Sequence, residues 1–304
     1  MPSSFTLVVL MVMLWGLLDA KAPKKQFGAT QNGKMPEDLR KKMAAEIAFA
    51  QSQMTDEHYA DVVQDPRNAR NDQERLAAMA GREVFVLIDR SGSMGSRDED
   101  PTGAKTNLRS WTRWDSARVA AESIAELALS IDADDNVDIM LWDGQGAGVR
   151  SVHTSMKTVA DIGPLFKEYE PAGGTPLAEA LEEIYELKLH ALLEAGEPFT
   201  CIVLTDGQPN DPWAVKQFFG RIIQENGLEQ PERQTLAAFS FVRMGDDRGA
   251  IKFLKDLDDN LQKELKVKVD IVDTKEDNFL FGTGKYKRTQ GVGPFALFWD
   301  AIYD

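Results

Sequence analysis

Residues 84–94 read Val-Phe-Val-Leu-Ile-Asp-Arg-Ser-Gly-Ser-Met, an apolar run that ends in an acid, two hydroxyls and a glycine. A continuous apolar run of this length is typical of a strand in a sheet that is covered on both faces. The polar residues after it would make a poor core, but they suit a loop at the carboxyl edge of a parallel sheet, where open α/β folds place their sites. Their oxygen atoms are the ligands that a hard divalent cation prefers. The stretch therefore predicts an α/β fold with a candidate cation site at the end of its first strand.

Two later segments carry residues of the same chemistry. Gly173-Gly174-Thr175-Pro176 stands at a loop-to-helix junction, and Thr205-Asp206-Gly207 closes the apolar run 201–204. Each has a simpler interpretation when taken singly, because serine and aspartate make turns and threonine caps helices. Their coincidence at the ends of suitable elements favours one shared site.

Together these residues resemble the metal-ion-dependent adhesion site (MIDAS) of von Willebrand factor A-type (vWA) domains. That pattern is Asp-x-Ser-x-Ser, a distant Thr and a more distant Asp, and it is matched here by Asp89, Ser91, Ser93, Thr175 and Asp206. The resemblance implies that the three hydroxyls bind Mg²⁺ (or Mn²⁺), while the two acids act mainly through waters and hydrogen bonds. It also implies that an Asp or Glu carboxylate of a partner protein completes the coordination.

Strands and helices alternate from about residue 82 to the C-terminus. We expect strands near 83–88, 137–142, 148–153, 199–205, 236–242 and 268–272, and helices near 112–131, 156–168, 176–194, 213–226, 248–264 and 295–302. Alternation of this kind predicts a doubly wound, mostly parallel, Rossmann-like sheet with an N-terminal helical extension. The strand at 149–153 follows its predecessor too closely for a crossover helix, so it should be an antiparallel edge strand.

The first eighty residues lie outside the vWA pattern. Within residues 1–22, the apolar stretch from Phe5 to Leu18 is short for a spanning helix of ~20 residues and long enough for a signal-peptide core. We interpret it as a membrane-targeting segment, signal or anchor; the absence of Asn-x-Ser/Thr sequons and of a second cysteine favours a cytoplasmic location as the alternative. Residues 23–80 should form a linker and helices near 36–54 and 72–79, either as a stalk or packed on the vWA-like domain, 81–304.

The charge distribution limits the classes of partner. The net charge of the 304-residue chain is −14, and residues beyond 80 supply all of it with 25 basic against 39 acidic side chains. An acidic body argues against binding to nucleic acid. It favours solubility or partners that present positive charge. The three histidines have no ligand spacing, so a zinc site is not expected.

Residues near the predicted strand ends are candidate partner contacts. Gln208, Asn210, Asp211 and Trp213 follow the second acid of the pattern, and Asp143 ends the second strand. Residues 95–109 look like an insertion between the metal loop and the first helix, with three acids at 98–100. We expect that insertion to be a solvated loop at the rim of the site.

The strongest alternative is a metal-dependent phosphohydrolase of the haloacid dehalogenase type. It would also place an acid at the end of its first strand, and Gly245-Asp246-Asp247 offers it some support. That chemistry needs a second acid two residues after the nucleophile, to protonate the leaving group, and Ser91 stands there. Nucleotide binding is disfavoured because the glycines at 144–148 lead into a strand, not a helix. We therefore predict a non-enzymatic, metal-dependent protein-binding module.

Overall fold

The computed structural model describes residues 45, 47–49, 51–64, 72–97, 111–131, 136–146, 148–281 and 293–303. The apolar stretch 5–18, the predicted linker, the start of the helix expected at 36–54 and the acids of the insertion lie outside the described residues. Within the described ranges, no helix is both long enough and apolar enough to cross a membrane.

Six strands form one central sheet: β1 (Glu83–Asp89), β2 (Val137–Gln145), β3 (Gly148–Met156), β4 (Phe199–Thr205), β5 (Ala237–Arg243) and β6 (Val272–Glu276). Their order is β3-β2-β1-β4-β5-β6, and every neighbouring pair is parallel except β2 and β3. The predicted mostly parallel sheet with an antiparallel edge strand is confirmed. Because the strand order reverses between β1 and β4, their carboxyl ends form a topological switch point, where α/β folds bind ligands.

Helices cover both faces of this sheet. Residues 45, 47–49 and 51–53 are helical, within the helix expected at 36–54. The other helices among the described residues are α1 (Asp56–Gln64), α2 (Asp72–Met79), α3 (Arg113–Ile131), α4 (Ile162–Glu168), α5 (Leu177–Ile184), α6 (His190–Ala195), α7 (Pro212–Glu225), α8 (Arg248–Leu265), α9 (Asp277–Phe281) and α10 (Gly293–Tyr303). A π-helical turn at Tyr185–Leu189 joins α5 to α6, and a 3₁₀ turn at Gly92–Gly95 follows β1.

Alternate residues of β1 enter two separate cores. Phe85 and Leu87 pack in the core formed with α5, α7 and α8, whereas Val84, Val86 and Ile88 pack in the core formed with α3, α4 and α10. This alternation is the period of two that a strand imposes on its side chains. Since both faces of β1 are buried, each residue of the run must be apolar, which is the pattern that the sequence displays.

Edge-to-face aromatic pairs stiffen the core beneath β4 and α7. The ring centroid of Phe239 lies 5.0 Å from that of Phe219 and 5.6 Å from that of Phe199. Such pairs stabilise by about 0.5–1.5 kcal/mol each beyond the area they bury. These aromatic contacts therefore hold the carboxyl end of β4 and the start of α7 in fixed positions.

The described part of the N-terminal extension packs on the sheet domain instead of forming a stalk. Ile47, Met79 and Ala80 are buried in the same core as α3. The Arg75 guanidinium lies 5.1 Å from the ring centre of Trp299 in α10. The helix α1 was not expected from the sequence, whereas α2 has the predicted bounds.

Several boundaries differ from the predictions, and two of them have a clear physical cause. The last strand pairs at Val272–Glu276, after the predicted range 268–272, because the alternating apolar residues Val269 and Ile271 are buried in the connection before it. The helix expected from residue 156 begins at Ile162, because β3 continues to Met156 in register with β2. In both cases the bounds of the strand are set by its backbone pairing with the neighbouring strand.

Candidate metal-binding site

Backbone hydrogen bonds tie the loop after β1 to the loop before α5. The amide of Gly92 donates to the carbonyl oxygen of Gly173 at 3.0 Å, and the amide of Ala172 donates to that of Arg90 at 2.7 Å. The Arg90 amide in turn donates to the Trp142 carbonyl oxygen at 2.7 Å. These bonds bring the segments of two sequence motifs, 89–94 and 173–176, to one edge of the sheet.

A close approach of two glycines sets the position of the second loop. Gly144 and Gly174 exchange backbone hydrogen bonds, with N–O distances of 3.0 and 3.4 Å. Gly173, the residue before Gly174, has a φ of +75°. A β-carbon there would overlap the carbonyl oxygen of Gly144 and lie 3.0 Å from its carbonyl carbon. Only glycine satisfies both conditions.

Asp89 is fully buried, and both of its carboxyl oxygens are bound within the protein. Oδ1 accepts a hydrogen bond from the Ser91 amide at 2.7 Å, and Oδ2 accepts one from the Thr205 hydroxyl at 2.6 Å. Sequence reasoning singled out Asp206 in the Thr205-Asp206 pair and missed Thr205. Asp89 therefore holds the shape of the loop that carries the serines.

Asp206 divides its two oxygens between a hydroxyl and a guanidinium. Oδ1 accepts a hydrogen bond from the Ser93 hydroxyl at 2.8 Å, and Oδ2 accepts one from Nη1 of Arg113 at 2.7 Å. The Ser91 and Ser93 hydroxyl oxygens lie 3.0 Å apart. The structure thus brings Ser91, Ser93 and both predicted acids together, and it adds Arg113, which no sequence motif indicated.

The hydroxyl groups of Thr175 and Ser93 both lie close to Gly207. A β-carbon on Gly207 would lie 3.1 Å from the Thr175 hydroxyl oxygen and 3.8 Å from that of Ser93. The Thr175 side chain is buried, and its hydroxyl makes no hydrogen bond with the described residues. The fifth residue of the motif therefore also reaches the site, and glycine at 207 keeps the space between the loops clear.

These donors fit a hard divalent cation. The site offers three hydroxyl oxygens and two carboxyl groups, and oxygen donors are what Mg²⁺ and Mn²⁺ prefer. The described residues contain no cluster of three or more His, Cys, Asp or Glu side chains that could hold a metal. A cation beside Gly207 would therefore have mostly neutral hydroxyl ligands, with Asp89 and Asp206 behind them.

The buried carboxyl groups resist ionisation when no cation is present. Burial raises the pKa of Asp89 to about 7, and repulsion from Asp206 adds to this, while hydrogen bonds from Thr205 and Ser91 oppose it. Burial also raises the pKa of Asp206, against the lowering effect of its hydrogen bonds from Arg113 and Ser93. A positive charge at the site would favour the ionised form of both groups.

Stability of the metal-free protein should depend on pH through Asp89. The folded protein binds this proton more tightly than the unfolded chain, whose carboxyl titrates near 3.8. The contribution of Asp89 to the free energy of unfolding should therefore fall as the pH rises from about 4 to about 7. We expect denaturant titrations in chelator to give a flatter profile between pH 4.5 and 7.5 for Asp89→Asn. Parallel profiles for the variant and the wild type would contradict this assignment.

Four predicted partner contacts lie where the sequence placed them, beyond the end of β4. Gln208 and Asn210 are exposed, and Trp213 is 53% exposed. Asp211 caps α7 by accepting hydrogen bonds from the amides of Trp213 and Ala214, both at 3.0 Å. The amide of Asn210 donates to the carbonyl oxygen of Thr175 at 2.9 Å, so this loop also braces the metal-site threonine.

Asp143 differs from its predicted place at the rim. Its side chain is fully buried and forms ion pairs with Arg90 and Arg150. The cause is strand register, because Asp143 lies directly opposite Arg150 in the β2–β3 pair. Its carboxylate is therefore a structural anchor of the sheet edge and is not available to a partner.

No family model matches the chain, and no curated protein sequence matches it. Similar solved structures include the VWA domain of SpRpn10, at 10% identity and a TM-score of 0.43, with 64% of this chain and 87% of that chain covered. The manganese-loaded TRAP protein of Plasmodium vivax is 14% identical, with a TM-score of 0.40 and coverages of 66% and 70%. An aerotolerance-related membrane protein of Bacteroides fragilis is 13% identical, with a TM-score of 0.44 and coverages of 73% and 98%.

Proposed function

We propose that this chain is a vWA-type protein-interaction module that binds Mg²⁺ or Mn²⁺ and uses it to capture a carboxylate of a partner protein. The observation that carries the proposal is the approach of two hydroxyl oxygens from different loops to Gly207, where a β-carbon would lie 3.1 Å from that of Thr175 and 3.8 Å from that of Ser93. Ser91 lies 3.0 Å from Ser93 and completes the hydroxyl set. These donors come from two loops that the fold brings together, and none of them is required by the core.

The donor chemistry explains why a partner would be needed. Hydroxyl ligands are neutral, so a bound cation would keep much of its positive charge. Asp89 has both oxygens engaged inside the protein, and Asp206 shares its charge with Arg113. The cation would supply an electrophilic position at the surface, and an Asp or Glu of the partner is the group that neutralises it best.

The same contacts favour binding over phosphoryl chemistry. A nucleophilic Asp89 would need an oxygen directed at the substrate, but the side chain is fully buried with hydrogen bonds on both oxygens. At position 91, the chain has a serine where the haloacid dehalogenase mechanism requires an acid. The phosphohydrolase alternative therefore lacks both its nucleophile and its proton donor.

Exposed residues beside the site suggest the rest of the footprint. Trp213 is 53% exposed at the start of α7, and Ile251 is 39% exposed near the start of α8. Aromatic residues are enriched at protein interfaces, and tryptophan is among the residues that contribute most to their binding energy. We propose that the partner places an apolar side chain on Trp213 next to its metal-binding acid.

Affinity capture tests this function, with the protein as bait under three conditions. We expect partner proteins to be retained in Mg²⁺ and lost both in chelator and with Ser93→Ala. Ser96→Ala is the matched control, since Ser96 is an exposed serine of the same loop. Identical retained proteins in all samples would refute metal-gated binding. Phosphatase turnover that disappears in Asp89→Asn would instead favour the enzyme.

A further inference from the structure

Arg113 places a permanent positive charge at the candidate metal site. Its Nη1 donates to Oδ2 of Asp206 at 2.7 Å, and that carboxylate is completely buried. Its Nη2 lies 3.7 Å from Oδ1 of Asp246, whose side chain is 91% exposed. The Arg113 side chain is only 14% exposed, so its charge is weakly screened by water. The guanidinium is therefore a weakly screened positive charge in direct contact with Asp206.

The backbone keeps this charge close to the metal loop. Arg113 is the first residue of α3, and its amide donates to the carbonyl oxygen of Ser96 at 3.1 Å. Ser96 in turn donates its amide to the carbonyl oxygen of Ser93 at 2.8 Å. An antiparallel bridge between Arg97 and Thr112 closes the same junction. The start of α3 is thus fastened to the loop that carries the serine ligands.

The Arg113 guanidinium and a bound divalent ion would compete for the Asp206 carboxylate. Its Oδ1 accepts the hydrogen bond from the candidate ligand Ser93, and its Oδ2 accepts the hydrogen bond from Arg113. A divalent ion among the hydroxyls would share this one carboxylate with the guanidinium and would be repelled by it. Both effects act across a buried, low-dielectric region, where charges a few ångströms apart interact strongly.

We propose that Arg113 is an internal counter-ion of the metal site, which neutralises Asp206 in the metal-free protein and lowers the affinity for the divalent cation. The inference rests on the proposed function, because it concerns the same site. The affinity of the site for a divalent cation would then be low, and the cation would be bound firmly only when an acidic partner also contributes its charge. A site of that kind couples metal binding to partner binding.

A positioning role for Arg113 would have the opposite sign. If the guanidinium served only to orient Asp206 as a metal ligand, its removal would weaken metal binding. The geometry favours competition, because the Ser93 hydroxyl already orients Oδ1, and Asp206 follows directly on the buried strand β4. Removal of the arginine should therefore leave the negative charge of Asp206 without its counter-ion, while the Asp206 side chain keeps its position.

Calorimetric titration of the full chain with Mg²⁺ alone separates the two roles. We expect Arg113→Gln to bind Mg²⁺ at least about tenfold more tightly than the wild type, as removal of a nearby like charge predicts. The metal-free variant should melt at a lower temperature, because Asp206 loses its partner. Arg113→Lys keeps the charge and should stay close to the wild-type affinity. Arg118→Gln is the matched control on the same helix, where Arg118 pairs with Glu122.

Each outcome is decisive. If the wild type binds Mg²⁺ and Arg113→Gln binds it equally or more weakly, the counter-ion role is wrong while the proposed function stands. If neither protein binds Mg²⁺ or Mn²⁺, the metal-dependent function fails and this inference fails with it. Circular dichroism and thermal unfolding of each variant verify that the comparison is made between folded proteins.

Discussion

Gly173→Ala should lower the free energy of unfolding by more than about 4 kcal/mol, or prevent folding altogether, a loss in the exceptional range for single substitutions. Two costs coincide at this residue. The backbone has a φ of +75°, which alanine adopts only with strain, and the added β-carbon would overlap the carbonyl oxygen of Gly144. Relief would require the loop before α5, which carries Thr175, to move away from Gly144 near the end of β2. Chemical denaturation monitored by tryptophan fluorescence measures the loss.

Two other glycines separate these costs. Gly146 has a φ of +66° but nothing within 4 Å of the added β-carbon, so Gly146→Ala should cost about 1 kcal/mol from backbone strain alone. Gly148 has open space and no positive φ, so Gly148→Ala should change stability by less than about 0.5 kcal/mol. A cost for Gly173→Ala no larger than that for Gly146→Ala would refute the steric argument.

Thr175→Val should reduce the affinity for Mg²⁺ by about 100-fold or more and leave the metal-free protein as stable as the wild type. Loss of a residue that only supports a metal ligand already costs 10–100-fold in other sites, and Thr175 is proposed as a direct ligand. Valine keeps the shape of the side chain and removes the hydroxyl, which has no hydrogen bond with the described residues. Titration calorimetry and thermal unfolding in chelator measure the two effects separately.

Thr205→Val provides the contrast, because this threonine donates its hydroxyl to the buried Asp89 at 2.6 Å. Its removal leaves a buried carboxyl oxygen without a partner, and we expect a loss of about 1–3 kcal/mol in the metal-free protein. The two substitutions should thus have different effects: Thr175→Val should lower the affinity for Mg²⁺, and Thr205→Val should lower the stability of the fold. Unchanged Mg²⁺ affinity in Thr175→Val would remove Thr175 from the ligand set.

The fold was predictable because its evidence is local. The apolar runs at 84–88 and 201–204 each predict a strand that is buried on both faces. The connection between β2 and β3 is too short for a crossover helix, so these two strands can pair only in the antiparallel direction. The bounds of β6 were not predictable. Val269 and Ile271 have the alternation of a strand because they are buried in the core, although the pairing begins only at Val272.

The sequence indicated the candidate oxygen ligands of the site, but it did not indicate which charged residues pair with one another. Spacing within one loop and position at strand ends indicated Asp89, Ser91, Ser93, Thr175 and Asp206, and the structure brings all five to one edge of the sheet. The same reasoning placed Asp143 at the rim, where strand register instead buries it between two arginines. Sequence spacing locates a side chain along an element, but it does not identify its neighbour across the sheet.

Donor chemistry and the succession of strands and helices along the chain follow from patterns within a few residues, since hydrophobic periodicity and turn chemistry are local properties of a chain. The pairing of Asp206 with Arg113 arises differently. It depends on how the start of α3 docks on the metal loop and on where β4 ends, and these are contacts between residues far apart in the sequence. The local patterns therefore identify the candidate oxygen donors, and the long-range packing sets the electric field around them.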